Sequence, residues 1–348
     1  RTMTMSTGLY KNRGTISFVL GFIVLWLFLH HFMVPLLFKQ RLSHIRHNKH
    51  NRSDAHISKS NNADSVDNLI YFKPMDILIN ANGWQVVNDP LYHNEIYLYS
   101  AYFDDRAKSE YYVRVMAASH VTASGLKCLL WYRNQKEPDA VKVSITQVGE
   151  QVLHHAIYTF QTLIFSCKVP DNRWPPESVS IIGHQSIIPT TLMKVEIPFR
   201  PPTIKDLIIC VPPVNGVHST KFFVEWMAIL KELNVEKVVI YNNGIEAETL
   251  KIINHFVDKG TVEIKKMTFP TDIVASEGFR QLLSSVAAND CLYRNMMSYG
   301  KILISDLEEI ILPTHHKTYL DMLISLDNSL PASRGESNDY LSIYLSIY

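Results

Sequence analysis

Three carboxylates follow one short apolar run. Residues 301–305 (Lys-Ile-Leu-Ile-Ser) have the composition of a strand buried on both faces, and Asp306, Glu308 and Glu309 come directly after them. Side chains alternate along an extended chain, so Asp306 and Glu308 are predicted to share one face at the carboxyl end of that strand. Open α/β sheets bind their ligands at that end. Two hard oxygen donors on one face suit a divalent cation that keeps coordination positions for phosphate oxygens. Taken alone, an acidic loop that solvates a strand end explains the same residues, so the choice rests on what surrounds them.

The elements that must position these acids begin near residue 203, where strand and helix patterns alternate. A buried strand at 206–211 is ended by Pro212-Pro213, and a helix at 221–233 carries the stripe Phe223, Trp226, Met227 and Leu230. A strand at 237–241 closes on an Asn-Asn-Gly turn, and a helix at 246–259 stops at Gly260. A third strand at 262–267 and a helix within 279–299 lead to the strand that ends in the acids. Together these predict a parallel sheet with right-handed crossovers. There is neither a P-loop nor a Gly-rich dinucleotide fingerprint, so phosphates need another holder, a role open to a metal. Asp290 and Arg294 lie one helical turn apart, as an ion pair or as a hold on sugar or phosphate. On pattern alone Tyr241 reads as an aromatic at the edge of the core.

Upstream, residues 69–198 read as a small antiparallel β domain. Short runs at 96–103, 111–115, 127–132, 141–145 and 162–169 are rich in aromatic and β-branched residues, and no helical period is sustained. A stiff proline-rich connector occupies 197–203. Cys128 and Cys167 each sit inside such a run, and read either as a bridge between strands or as two buried thiols, the bridge requiring an oxidising compartment. Apart from His30 and His31, residues 15–38 hold no acidic or basic side chain, and a helix of that length at ~1.5 Å per residue spans a ~30 Å bilayer core. That run reads as a retained signal-anchor contacting the lipid bilayer, between a cytosolic tail at 1–14 and a polar stem at 39–68. The stem histidines read as solvated, and Asn51 opens a glycosylation sequon. Basic residues flank the span on both sides, so charge alone does not orient it. Lys and Arg number 34 against 33 Asp and Glu, which gives no field to support a nucleic-acid partner.

Two further stretches carry a resemblance. Asn289-Asp-Cys-Leu-Tyr-Arg294 and Asp306-Leu-Glu-Glu-Ile-Ile-Leu-Pro313 resemble glycosyltransferase family 92, in which a helix ending N-D-C-L-x-R leads into a strand finishing D-x-D-E-x-x-x-P. Cys210-Val-Pro-Pro213, Tyr241-Asn242 and Ser100-Ala-Tyr-Phe-Asp-Asp-Arg106 are similar to other motifs of that family, so the likeness runs from about residue 69 to Pro313. The resemblance implies a GT-A-like, Rossmann-like fold and a metal-dependent, inverting transferase. In the family's pattern, galactose passes from UDP-galactose to a terminal sugar of a glycan acceptor, in a β-1,4 linkage, with manganese as the expected cation. It also implies a single-pass type II protein of the Golgi membrane, with the catalytic region in the lumen. Asp306 and Glu308 fall on the family's metal-binding pair, Glu308 standing where Asp is usual, and Glu309 matches the third acid. Val211, Pro212, Tyr241, Asn242, Asp290 and Arg294 would lie, with Asp306, against the nucleotide sugar. The resemblance names no catalytic base among these residues. A non-catalytic, membrane-anchored glycan- or nucleotide-binding homologue is the alternative, prompted by Glu308. Beyond Pro313 only a helix at 316–326 is predicted, with an irregular tail at 331–348, so the sheet domain is expected to be cut short as written.

Overall fold

Strand pairing divides the chain into a closed barrel and a parallel sheet. The computed structural model describes residues 83–329 apart from 89–95, 108, 120–123, 150–151, 155–157, 172, 184–187, 217, 271–276 and 308. The expected cytosolic tail, membrane span, stem, Asn51 sequon, irregular tail and Glu308 therefore lie outside the described residues.

Nine strands form the first sheet: β1 (Gln85–Val86), β2 (Ile96–Asp104), β3 (Tyr112–Ser119), β4 (Lys127–Trp131), β5 (Asp139–Gln147), β6 (Val152–His154), β7 (Tyr158–Lys168), β8 (Ser178–Ile182) and β9 (Met193–Glu196). Seven of them close a ring in the order β2-β3-β7-β5-β4-β8-β9, because β9 pairs back onto β2 in parallel through Ala101↔Val195 and Tyr102↔Glu196. The two-residue period sorts the side chains. Val113, Val115 and Ala117 of β3 and Leu163, Phe165 and Cys167 of β7 fill the barrel, while Met116, Ala118, Phe160 and Ile164 point out into a second core. Cys128 and Cys167 are bonded to each other inside the barrel.

The second sheet has four strands, all parallel, in the order β12-β11-β10-β13: β10 (Lys205–Gly216), β11 (Lys237–Ile245), β12 (Val262–Lys266) and β13 (Tyr299–Ile304). Its helices are α1 (Thr220–Glu232), α2 (Ala247–Asp258), α3 (Glu277–Asn295) and α4 (Tyr319–Ser329). One face of the sheet (Leu207, Ile209, Val211, Val238, Ile240) packs on Phe223, Trp226, Met227 and Leu230 of α1, Ile253 of α2 and Tyr319 and Leu323 of α4. The other face (Ile208, Cys210, Val239, Tyr241) meets α3 and the outward side chains of the barrel. Gly260 follows α2 with φ +76°, a conformation that suits glycine at the end of a helix.

This architecture corrects the expectation of a GT-A-like, Rossmann-like fold set behind a small antiparallel β domain and an N-terminal transmembrane helix. The β-rich region is a closed seven-stranded barrel with one parallel seam, and the parallel sheet is a separate four-stranded one. One face of this sheet is covered by α1, α2 and α4, but the other is covered by a single helix, α3, together with the outward side chains of the barrel. Among the described residues no helix is long and apolar enough to cross a membrane, and the span expected at 15–38 is not among them. The closing strands β8 and β9 are only 5 and 4 residues long, and nothing in their local pattern announces closure, which is a non-local pairing. Two strand ends are corrected as well. β10 runs on through Pro212-Pro213 to Gly216, with register shifts between Val211 and Val214 and again before Gly216, and β11 continues through its Asn-Asn-Gly segment to Ile245. Proline is tolerated there because the ladder is already irregular.

Candidate functional site

The chain builds β10, β11 and β12 outward in one direction and then places β13 on the other side of β10. A crevice opens beyond the carboxyl ends of two strands at such a reversal. Cys210 pairs with Ile304, and the Cys210 carbonyl accepts the amide of Ser305 at 3.2 Å. The register thus brings Val211 and Pro212, where β10 leaves its pairing with β13 while staying on β11 to Gly216, beside the β13 exit at Asp306.

β13 stops at Ile304, so strand alternation does not carry through the acids. The chain turns instead. The Glu309 amide donates to the Asp306 carbonyl at 3.1 Å, and the Asp306 amide donates to the Glu309 carboxylate at 3.2 Å. Leu307 anchors this turn in the core beneath α1, and the indole N–H of Trp226 donates to the Glu309 carbonyl at 2.9 Å. Asp306 itself is exposed. Glu309 therefore shapes the turn that presents Asp306. Among the described residues no group of three His, Cys, Asp or Glu side chains is arranged to hold a metal, and Glu308 is not one of those residues. An exposed carboxylate at a strand exit nevertheless fits a cation that takes one or two protein carboxylates and completes its shell with water and phosphate oxygens.

Tyr241, Asp290 and Arg294 come together in a different place, under the sheet. Asp290 on α3 has no exposed surface. Its carboxylate accepts the hydroxyl of Tyr102 from β2 at 2.6 Å and that of Tyr241 from β11 at 2.5 Å. Arg294 ion-pairs with Asp290 at 3.3 Å and with Glu196 of β9 at 2.7 Å, while its guanidinium lies 5.4 Å from the Tyr102 ring centre. Burial pushes the Tyr102 and Tyr241 hydroxyls well above the ordinary tyrosine range, and the Asp290 charge adds to this. Burial opposes charge on Arg294, yet Asp290, Tyr102 and Glu196 outweigh it and hold the guanidinium protonated. Of the two roles read from the Asp290–Arg294 spacing, the ion pair is present, and it joins barrel, helix and sheet.

The side chain of Asn242 is engaged with its own turn: its oxygen accepts the amides of Gly244 and Ile245, both at 2.9 Å. Gly244 sits at φ +105°, which a side chain would strain.

Four contributors escaped the sequence reading. Tyr102, Glu196 and the Trp226 indole act across long sequence separations; Tyr102 lies in a motif and Trp226 in a helix stripe already singled out, but neither pattern names the partner. In that motif Asp104 accepts both Arg106 (2.7 Å) and Arg114 (2.9 Å), while the Arg106 guanidinium lies 5.1 Å from the ring centre of Tyr293 on α3. Partial burial would raise the Asp104 pKa, but the two arginines prevail and lower it. The fourth is a second disulfide, Cys210–Cys291, joining β10 to α3.

No curated protein matches the chain. Residues 205–335 match the model described as Glycosyltransferase family 92, a stretch that opens on the first residue of β10 and takes in the whole parallel sheet and α1–α4. That stretch is similar to glycosyltransferase family 92, and the activity the match supports is glycosyl transfer.

Proposed function

We propose that the chain transfers galactose from UDP-galactose to a terminal sugar of a glycan acceptor, with inversion and in a β-1,4 linkage, at the seam between the β10 and β13 exits. The observation that carries this reading is the family match, which covers both exits. In this reading Asp306 and Glu308 hold a divalent cation, manganese in particular. When bound, that cation supplies positive charge against the departing diphosphate. Pro212 forms the wall beside it, with Val211 buried behind in the core under α1, and Pro212 fixes its own φ, so this segment loses little freedom when a nucleotide binds. Tyr241, Asp290 and Arg294 support the nucleotide side from beneath the sheet. Two disulfides on a chain with four cysteines favour an oxidising lumen, in keeping with a Golgi location.

The test is UDP release from UDP-galactose with and without a sugar acceptor, in manganese and in chelator. UDP binding should require the cation, Asp306→Ala should remove that requirement together with most of the affinity, and Glu308→Asp should bind metal at least as well. Equal UDP binding in chelator and by Asp306→Ala would sink the assignment. Metal-dependent UDP binding without acceptor-dependent release would favour the non-catalytic binding protein.

A further inference from the structure

We infer that the Cys210–Cys291 disulfide is a positioning device for the two strand exits that form the candidate donor site. The functional part of this inference rests on the donor-site reading above. Cys210 stands at the last point where β10 is regularly paired on both sides, with Val239 of β11 and Ile304 of β13. Immediately beyond it the β10–β11 register breaks, between Val211 and Val214. Pairing with β13 ends at Cys210, and the β11 ladder, still regular at Val211↔Ile240, is interrupted at Pro212 and Pro213 before it resumes at Val214. On the other side the Cys210 carbonyl holds the Ser305 amide at 3.2 Å, one residue before Asp306. One residue thus governs both exits, and its sulfur is bonded to Cys291 on α3.

Cys291 adjoins Asp290, whose carboxylate takes the Tyr241 hydroxyl at 2.5 Å. Adjacent residues of one helix therefore hold β10 by a covalent bond and β11 by a hydrogen bond. Both cysteines are buried, Cys210 at 2% and Cys291 at 0% exposure. Apolar contacts between a helix and a sheet leave room for small sliding, whereas a covalent bond at the last paired residue does not. A misplacement of about 1 Å suffices to cost a catalyst about a hundredfold. The other disulfide, Cys128–Cys167, joins β4 to β7 inside the barrel and touches neither exit, which makes it an internal control.

The test compares the full chain with Cys210→Ala/Cys291→Ala and Cys128→Ala/Cys167→Ala, first by amide hydrogen exchange and then by UDP titration in manganese. Exchange at the amides of Val211, 214–216 and 305–307 should rise about tenfold or more in the first variant only. Its UDP affinity should fall about tenfold while that of the barrel variant stays within about twofold. A refilled variant, Cys210→Val/Cys291→Ala, restores bulk without the bond and should remain weak for UDP. This variant also serves if the double alanine does not fold. Unchanged exchange at the exits, equal loss of UDP affinity in both alanine variants, or full recovery by the refilled variant each overturn the inference. If the unaltered chain does not bind UDP, the donor-site reading fails by itself, and the exchange comparison still decides whether the bond fixes the exits.

Discussion

Removing the Asp290 carboxylate should unfasten the barrel from the sheet. The side chain has no exposed surface and receives two tyrosine hydroxyls, at 2.6 and 2.5 Å, and an arginine at 3.3 Å. Asp290→Ala leaves both hydroxyls buried without a partner, at about 1–3 kcal/mol each. Arg294 keeps Glu196 at 2.7 Å, so its charge is not stranded, and the ion-pair contribution falls at the low end of the ~3–5 kcal/mol typical of a broken buried pair. These terms share one carboxylate and do not add, so we expect about 4–6 kcal/mol in all. Asp290→Asn keeps the shape and one accepting oxygen and should cost about half as much. The triple change Asp290→Ala, Tyr102→Phe and Tyr241→Phe removes the orphaned hydroxyls and should recover part of the loss. The measurement is urea unfolding followed by far-UV circular dichroism, with UDP affinity taken on each folded variant. A loss below about 1 kcal/mol for Asp290→Ala, or a triple variant less stable than the single one, would refute the network as a structural joint. A UDP affinity that falls in Asp290→Asn far more than its stability does would show that this carboxylate holds ligand.

Trp226→Phe removes the indole donor to the Glu309 carbonyl, so it should cost about 1–2 kcal/mol and weaken the metal dependence of UDP binding; unchanged binding would detach that contact from the site. Glu263 gives a pH signature. Partial burial would raise its pKa, but Lys265 and Lys237 outweigh this and hold it at about 2. A folded pKa below the unfolded one means that the stabilisation is present above pH ~4.3 and fades as pH falls towards ~2. Because the carboxylate is part-exposed, about 1 kcal/mol is expected, and acid unfolding of Glu263→Gln should lack that component. The disulfides close separations of 81 and 39 residues, so chain entropy assigns each about 4 kcal/mol, with the longer worth about 0.6 more. Urea melts of the two double-alanine variants should keep that order.

The repeating elements were legible because their signals are local. The apolar stripe Phe223, Trp226, Met227 and Leu230 marks α1, and each of these side chains is buried. The five aromatic and β-branched runs fall on β2, β3, β4, β5 and β7. What stayed hidden depends on partners far along the chain. Barrel closure needs Tyr102 beside Glu196, and the buried joint needs Tyr102 to meet Asp290, 188 residues away. The acids at the β13 exit were found, but not their posture. Alternation applies only while the chain stays extended, and here it turns at Asp306 because Glu309 and Trp226 close a hydrogen-bonded loop. Cys128 and Cys167 were read as a candidate bridge, but Cys210 and Cys291 were not paired, since one lies in a strand and the other in a helix 81 residues later, a distance over which spacing says nothing about pairing.

The bulge in β2 links the two halves of the molecule. Leu98 pairs with Ala117 and Ser100 with Met116, so two steps on β2 face one step on β3, and Tyr99 is the extra residue. Before the bulge Ile96 and Leu98 point into the barrel; after it Ala101 and Phe103 do, and Tyr102 points out. Without the insertion the period of two would carry on through residues 100 and 102, turning Tyr102 into the apolar barrel, where its hydroxyl would lose Asp290. Tyr99 itself uses the outward turn, donating its hydroxyl to the Lys266 carbonyl at the end of β12. The insertion therefore gives the sheet two contacts, Tyr99 at β12 and Tyr102 through Asp290 to Tyr241 on β11. The first lies at the carboxyl end of β12, and the second at Tyr241 in the middle of β11, next to Ile240, the partner of Val211. The matched stretch at 205–335 thus holds the residues proposed for chemistry, while strands outside it help set where the exits of that sheet stand.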